Sequence, residues 1–224
     1  MQAIMETAFD AAYLAAVLTM GVIMCAKAKS NRGFCLFGIM ALVLGCGDAF
    51  HLLPRAYSLI TDSMDVNVAA LGFGKLVTSI TMTAFYVIFY HFMRMRYKDA
   101  GKTPLTAAVY ALAALRILLC LFPQNDWFSA NAPLSWGIYR NIPFVILGVI
   151  IICLSFSYAK EHKDKPFALA WLAVLLSLAF YIPVVLWADA IPMIGMLMIP
   201  KTLCYVWLVL MGFGEFRKNG KKST

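Results

Sequence analysis

The sequence predicts an all-α integral membrane protein, a single bundle of seven transmembrane helices over residues 1–224, with the amino terminus outside and the carboxyl terminus in the cytoplasm. Three observations predict it. The chain is 62% hydrophobic and only 13% charged, about half the charge of an ordinary soluble domain. Its apolar residues gather into windows of the roughly 20 residues that a helix needs to cross a bilayer. Its basic residues fall in alternate loops.

The windows lie at about 8–26, 33–54, 70–93, 104–122, 137–158, 166–187 and 190–213. Gly, Pro, Asn, Asp or clustered charge breaks the chain between them. Lys27, Lys29 and Arg32 follow span one; Arg94, Arg96, Lys98 and Lys102 follow span three. Lys160, Lys163 and Lys165 follow span five; Arg217, Lys218, Lys221 and Lys222 follow span seven. These are 14 of the 19 basic residues, all predicted on one side. The opposite loops carry Asp62, Asp65, Asp126 and Asp189. Basic loops stay in the cytoplasm, which sets the orientation and makes the net charge of +8 a topology signal rather than a nucleic-acid footprint. Trp127, Trp136, Tyr139 and Trp187 fall at the expected outer ends, where amphipathic rings favour the headgroup layer.

Span one has Glu6 and Asp10 but no Lys or Arg ahead of its apolar run. A secretory signal begins with positive charge, so this segment reads as a true first span. Six cysteines lie in or beside apolar segments without CxxC spacing, which fits small buried hydrophobes better than a disulfide framework.

Span two contains "GDAFHLLPR". Asp48, His51 and Arg55 stand at i, i+3 and i+7 and share one helix face. Asp48 is roughly 21 Å from the inner end of its span. Span three opens with Lys75, has Ser79 one turn on, and carries no acid. Arg116 lies deep in span four. Arg140 and Asn141 begin span five, and Tyr181 precedes Pro183 in span six. Lys201 sits roughly 16 Å into span seven. Arg55 is expected to end span two just after Pro54. With Lys75 and Arg140 it has the option of snorkelling to water. Asp48, Arg116 and Lys201 are too deep for that, and each unpaired charge costs about 3 kcal/mol on insertion scales. Asp48 with Lys201 or Arg116 is the expected pair.

The predicted outer half is therefore polar, basic and kinked by Pro54, Pro143, Pro183 and Pro200, while the inner half is plain apolar helix. This asymmetry predicts a cavity open to the outside that takes a small anionic or zwitterionic ligand or a lipid headgroup. Its expected lining is Asp48, His51, Arg55, Lys75, Ser79, Arg116, Arg140, Asn141, Tyr181 and Lys201. The leading expectation is a transporter or ligand sensor of the cell membrane, with His51 available for proton coupling near neutral pH. A structural or partner-binding subunit, its charges tying helices together, is a further reading.

Other chemistry fits less well. His51, His91 and His162 lie at three different depths and cannot share a metal. The Gly-Asp of "LGCGDAFHLL" resembles the membrane lysoplasmalogenases, multi-spanning enzymes with intramembrane aspartates. That resemblance implies a lipid-headgroup hydrolase with Asp48 as its carboxylate, and His51 would be its acid–base partner. The Lys-Pro that leads into that region in the family is replaced here by "NRGFCL". Lys201 and "FYIPVVLW" resemble microbial opsins, in which the lysine holds retinal. Span three lacks the counterion carboxylate of that family, so no cofactor is expected.

The turns "AKAKSNRGFCL" at 26–36 and "AKEHKDKPFAL" at 159–169 match at an offset of 133. They give the pattern of a three-plus-one-plus-three parallel repeat, as found in transporters.

Overall fold

A computed structural model describes residues 2–28, 31–61, 63, 66–101, 103–188 and 190–221. Lys29, Asp62, Asp65, Lys102, Asp189 and Lys222, which enter the charge pattern above, lie outside the described residues. Among those described the chain is all helical. The α-helices are α1 (Gln2–Lys27), α2 (Arg32–Ile60), α3 (Val68–Arg96), α4 (Thr103–Leu121), α5 (Leu134–His162), α6 (Ala170–Trp187) and α7 (Met198–Lys221). Seven segments are long and apolar enough to cross a membrane.

Most helices outrun their apolar windows, because hydropathy marks only the part that needs lipid while the backbone ladder continues into the polar flanks. The largest difference is in α2. It does not end beside Pro54 but continues to Ile60 with Pro54 inside it. Pro54 removes one ladder donor, and the Ser58 hydroxyl bonds back to the Pro54 carbonyl at 2.7 Å. Pro143 and Pro183 are likewise interior to α5 and α6. Span seven is not one continuous helix. A 3₁₀ segment, Pro192–Leu197, precedes α7, so Lys201 stands in the first turn of its α-helix. Pro192 opens that segment, and Pro200 sits in the first turn of α7, where a missing N–H costs little.

Local signals explain several ends. Asn31 caps α2, its Oδ1 accepting the Gly33 and Phe34 amides at 3.0 and 3.3 Å. Lys27, the pair Arg94 and Arg96, and the pair Lys160 and His162 occupy the last turns of α1, α3 and α5, where cations complement the helix dipole.

Neighbours in sequence are neighbours in space, and α7 closes the bundle against α1, α2 and α6. The tightest seam is α2 with α3. A Cβ at Gly47 would overlap Thr81, and one at Gly74 would overlap the Phe50 carbonyl and His51 Cα. These two glycines let the backbones approach, as small residues do between membrane helices. They hold the Asp48–His51 turn against α3.

The seven helices give the bundle two ends. The amino end carries the start of α1 and the α2–α3, α4–α5 and α6–α7 connections; the carboxyl end carries the other turns. Near the carboxyl end Phe37 meets Phe92 and Phe167 edge to face, and those two are tilted against each other, with centroids 4.8 to 5.7 Å apart.

Candidate functional site

The polar residues of the amino half form two groups that meet at Lys201. The first lies between α1, α2 and α7. The α1 helix supplies Glu6, Asp10 and Tyr13, none of which the sequence reading placed in the site. Tyr13 donates its hydroxyl to Asp48 at 2.6 Å. Arg55 does not snorkel: its Nη2 and Nε reach Glu6 Oε1 at 2.6 and 2.7 Å. Asp10 is 8% exposed, and its Oδ2 has no hydrogen-bond partner. His51 Nδ1 is also buried without one. Lys75 is exposed, within electrostatic reach of His51.

The second group lies between α3, α4, α5 and α6. Arg116, only 2% exposed, lays its guanidinium over the Phe144 ring at 3.6 Å from the centroid. Phe144 in turn stacks on Tyr86 at 4.7 Å. Arg116 Nε and Nη1 are buried without hydrogen-bond partners. Tyr181 lies beside Arg116 and donates to Asn141 Oδ1 at 2.9 Å. Asn141 bonds to the Gly137 carbonyl at 2.8 Å.

Arg140 is held by the α4–α5 turn. Its Nη1 donates to Asn125 at 2.8 Å and its guanidinium lies 4.2 Å from the Trp127 ring centroid. Trp127 is itself pinned to the Cys120 carbonyl at 2.8 Å. Ser79 donates to the Lys75 carbonyl at 2.8 Å, within its own helix, and lies near Cys120.

Lys201 joins the groups. It is 5% exposed, and its ammonium lies 5.1 Å from the Tyr181 ring centroid and 5.7 Å from that of Tyr205. Its charge acts on Asp48 through space.

The expected ion pair takes a different form. Among the described residues, no ion pair within 4 Å joins Asp48 to Arg116 or Lys201. Tyr13 occupies the carboxylate, and Arg116 rests on an aromatic face. The structure thus brings Arg116, Asn141 and Tyr181 together, with Lys201 adjoining. It places Asp48 with α1, gives Arg55 and Arg140 protein partners, and leaves Ser79 and Lys75 at the margins.

The energetics of Arg116 are unfavourable as they stand. A desolvated cation–π contact is worth about 2 kcal/mol. Burying a guanidinium costs several, and no carboxylate among the described residues pairs with Arg116, Arg140 or Lys201. The cluster holds two buried guanidinium nitrogens without hydrogen-bond partners, the Lys201 ammonium near Tyr181 and Tyr205, and tyrosine hydroxyls, which are groups that form charge-assisted hydrogen bonds with anions.

A cavity of about 490 Å³ lies elsewhere, at the carboxyl end beside Arg32 and Arg96. That end has its own charge network. Asp164 accepts from Arg96 Nε and Nη2, the latter at 3.0 Å, and from the Tyr97 hydroxyl at 2.8 Å. Arg96 also meets Glu215 at 3.6 Å. Burial opposes ionisation of Asp164, but the Arg96 and Tyr97 hydrogen bonds and the Arg96 charge hold its carboxyl below the ordinary value. Burial, and then the same carboxylate, push the Tyr97 hydroxyl up.

No family model, curated protein or solved structure matches this chain.

Proposed function

We propose that this is a multi-pass protein of the cell membrane, amino terminus outside, that binds a small anionic or zwitterionic ligand where Arg116, Asn141, Tyr181 and Lys201 converge, as a transporter or ligand sensor. Alternating basic loops support the orientation. The matched α1–α2 and α5–α6 turns support reading α1–α3 and α5–α7 as parallel repeats about α4, the kind of duplication that transporters use.

One observation carries the ligand reading. Arg116 is buried, has two nitrogens without hydrogen-bond partners, and pairs with no carboxylate among the described residues. A ligand carboxylate or phosphate completes that set with charge-assisted hydrogen bonds. The hydrolase reading has less support: no hydrogen bond among the described residues links Asp48 to His51, and Asp48 takes the Tyr13 hydroxyl instead.

The test is a thermal-shift screen of purified protein against carboxylates, amino acids, phosphate esters and lysophospholipids, repeated with Arg116→Met and Lys201→Met. A ligand at 100 times its Kd should stabilise the wild type by about 2.7 kcal/mol and leave both variants unmoved. Equal shifts in all three proteins would sink the proposal.

A further inference from the structure

The carboxyl-end cavity offers a second anion site, one that the ligand reading above does not use. Its volume of about 490 Å³ is within the range of small-molecule pockets. Arg32, Arg96, Asn31 and Asn219 line it together with Phe34 and Phe92, so its wall combines guanidiniums and amides with aromatic rings. No acid is among the described residues that line it. Asp164 and Glu215 engage Arg96, whereas Arg32 makes no hydrogen bond or ion pair from its side chain with any described residue. Asn31 already caps the Gly33 and Phe34 amides. The attraction therefore comes from Arg32, reinforced by the positive end of the α2 dipole; Arg96 is offset by Asp164 and Glu215 and adds no net positive charge.

Position identifies the ligand class. Arg32 is the first residue of α2 and Arg96 the last of α3, so both stand at the boundary of apolar spans, at headgroup height. Basic pockets between membrane helices hold lipid headgroups in this way. We infer that this cavity binds an anionic phosphoester, either the phosphodiester of an anionic lipid headgroup or a small soluble phosphate ester, with Arg32 as its principal contact and Phe34 and Phe92 against the apolar part.

Full-length protein in detergent is titrated with phosphatidylglycerol, with zwitterionic phosphatidylcholine and with glycerol 3-phosphate, and bound ligand is counted by native mass spectrometry. Tighter retention of phosphatidylglycerol than of phosphatidylcholine identifies a lipid site; retention of glycerol 3-phosphate alone identifies a soluble ester. In either case Arg32→Gln weakens binding about fivefold, the value of one basic residue near an anionic surface. Asn219→Asp, which puts a carboxylate into the wall, weakens it at least as much. Lys27→Gln removes an exposed charge at the same end but outside the cavity and leaves binding unchanged. Equal losses in all three variants, showing bulk attraction only, would overturn the assignment. So would equal retention of the two lipids with no binding of glycerol 3-phosphate.

Discussion

The two ends of this bundle treat arginine in opposite ways. At the carboxyl end Arg96 is surrounded: Asp164 takes two of its nitrogens, Glu215 a third contact, and the Phe167 ring lies 4.7 Å below it. The network ties α3, the α5–α6 turn and α7. In the amino half Arg116 is more deeply buried, yet it has an aromatic ring where Arg96 has carboxylates. Paired charge serves as an interhelical tie. Unpaired buried charge works against the fold and calls for another reason to be there.

This contrast can be broken by mutation, and the largest effect belongs to the paired end. Arg96→Met leaves Asp164 and Glu215 without the cation they share. Thermal or denaturant unfolding in micelles should show a loss of roughly 3 kcal/mol, set below the top of the range for fully buried pairs because Arg96 is partly exposed. A loss under 0.5 kcal/mol would mean that the network is ornamental. Next is Arg55→Met in the amino half, where Glu6 is left without its partner. Both groups are partly exposed, so the expected loss is about 1 kcal/mol. It should be largely recovered in the double variant Glu6→Gln with Arg55→Met.

The smallest effect is a pH dependence. Asp164 is held below the ordinary value of an aspartate carboxyl in the fold. It therefore contributes stability that is present above the unfolded value and lost as pH falls through the folded one. Wild type should lose stability below about pH 4 relative to Asp164→Asn. Parallel curves would remove Asp164 from the account.

Much of the fold was legible because lipid imposes a length and an apolar content on every span. The exceptions have local causes. Proline does not end a helix when the turns on either side of it continue the ladder, as at Pro54. Hydropathy does not distinguish 3₁₀ from α backbone before Lys201. The site was legible in part. Depth singled out Arg116 and Lys201, and spacing put Asp48, His51 and Arg55 on one face. The same test on α1 would have found Glu6, Asp10 and Tyr13, which stand at i, i+4 and i+7. Which helix meets which face is set by tertiary packing, so the Tyr13–Asp48 and Glu6–Arg55 partners were hidden. The choice of Phe144 under Arg116 was hidden too, since a ring gives no sign in the sequence that it will carry a cation. Asp164 and Glu215 passed unnoticed because the basic loops around them were read for topology alone.

The central claim is that Arg116 is retained for a ligand and not for the fold. The most direct test is the unfolding midpoint of Arg116→Met with no anion added, measured beside Arg96→Met in the same micelles. Removing a buried cation that has no counter-charge among the described residues should raise stability, by about 1–3 kcal/mol, while Arg96→Met falls. A fall in Arg116→Met comparable to that of Arg96→Met would contradict the account and make Arg116 one more structural tie.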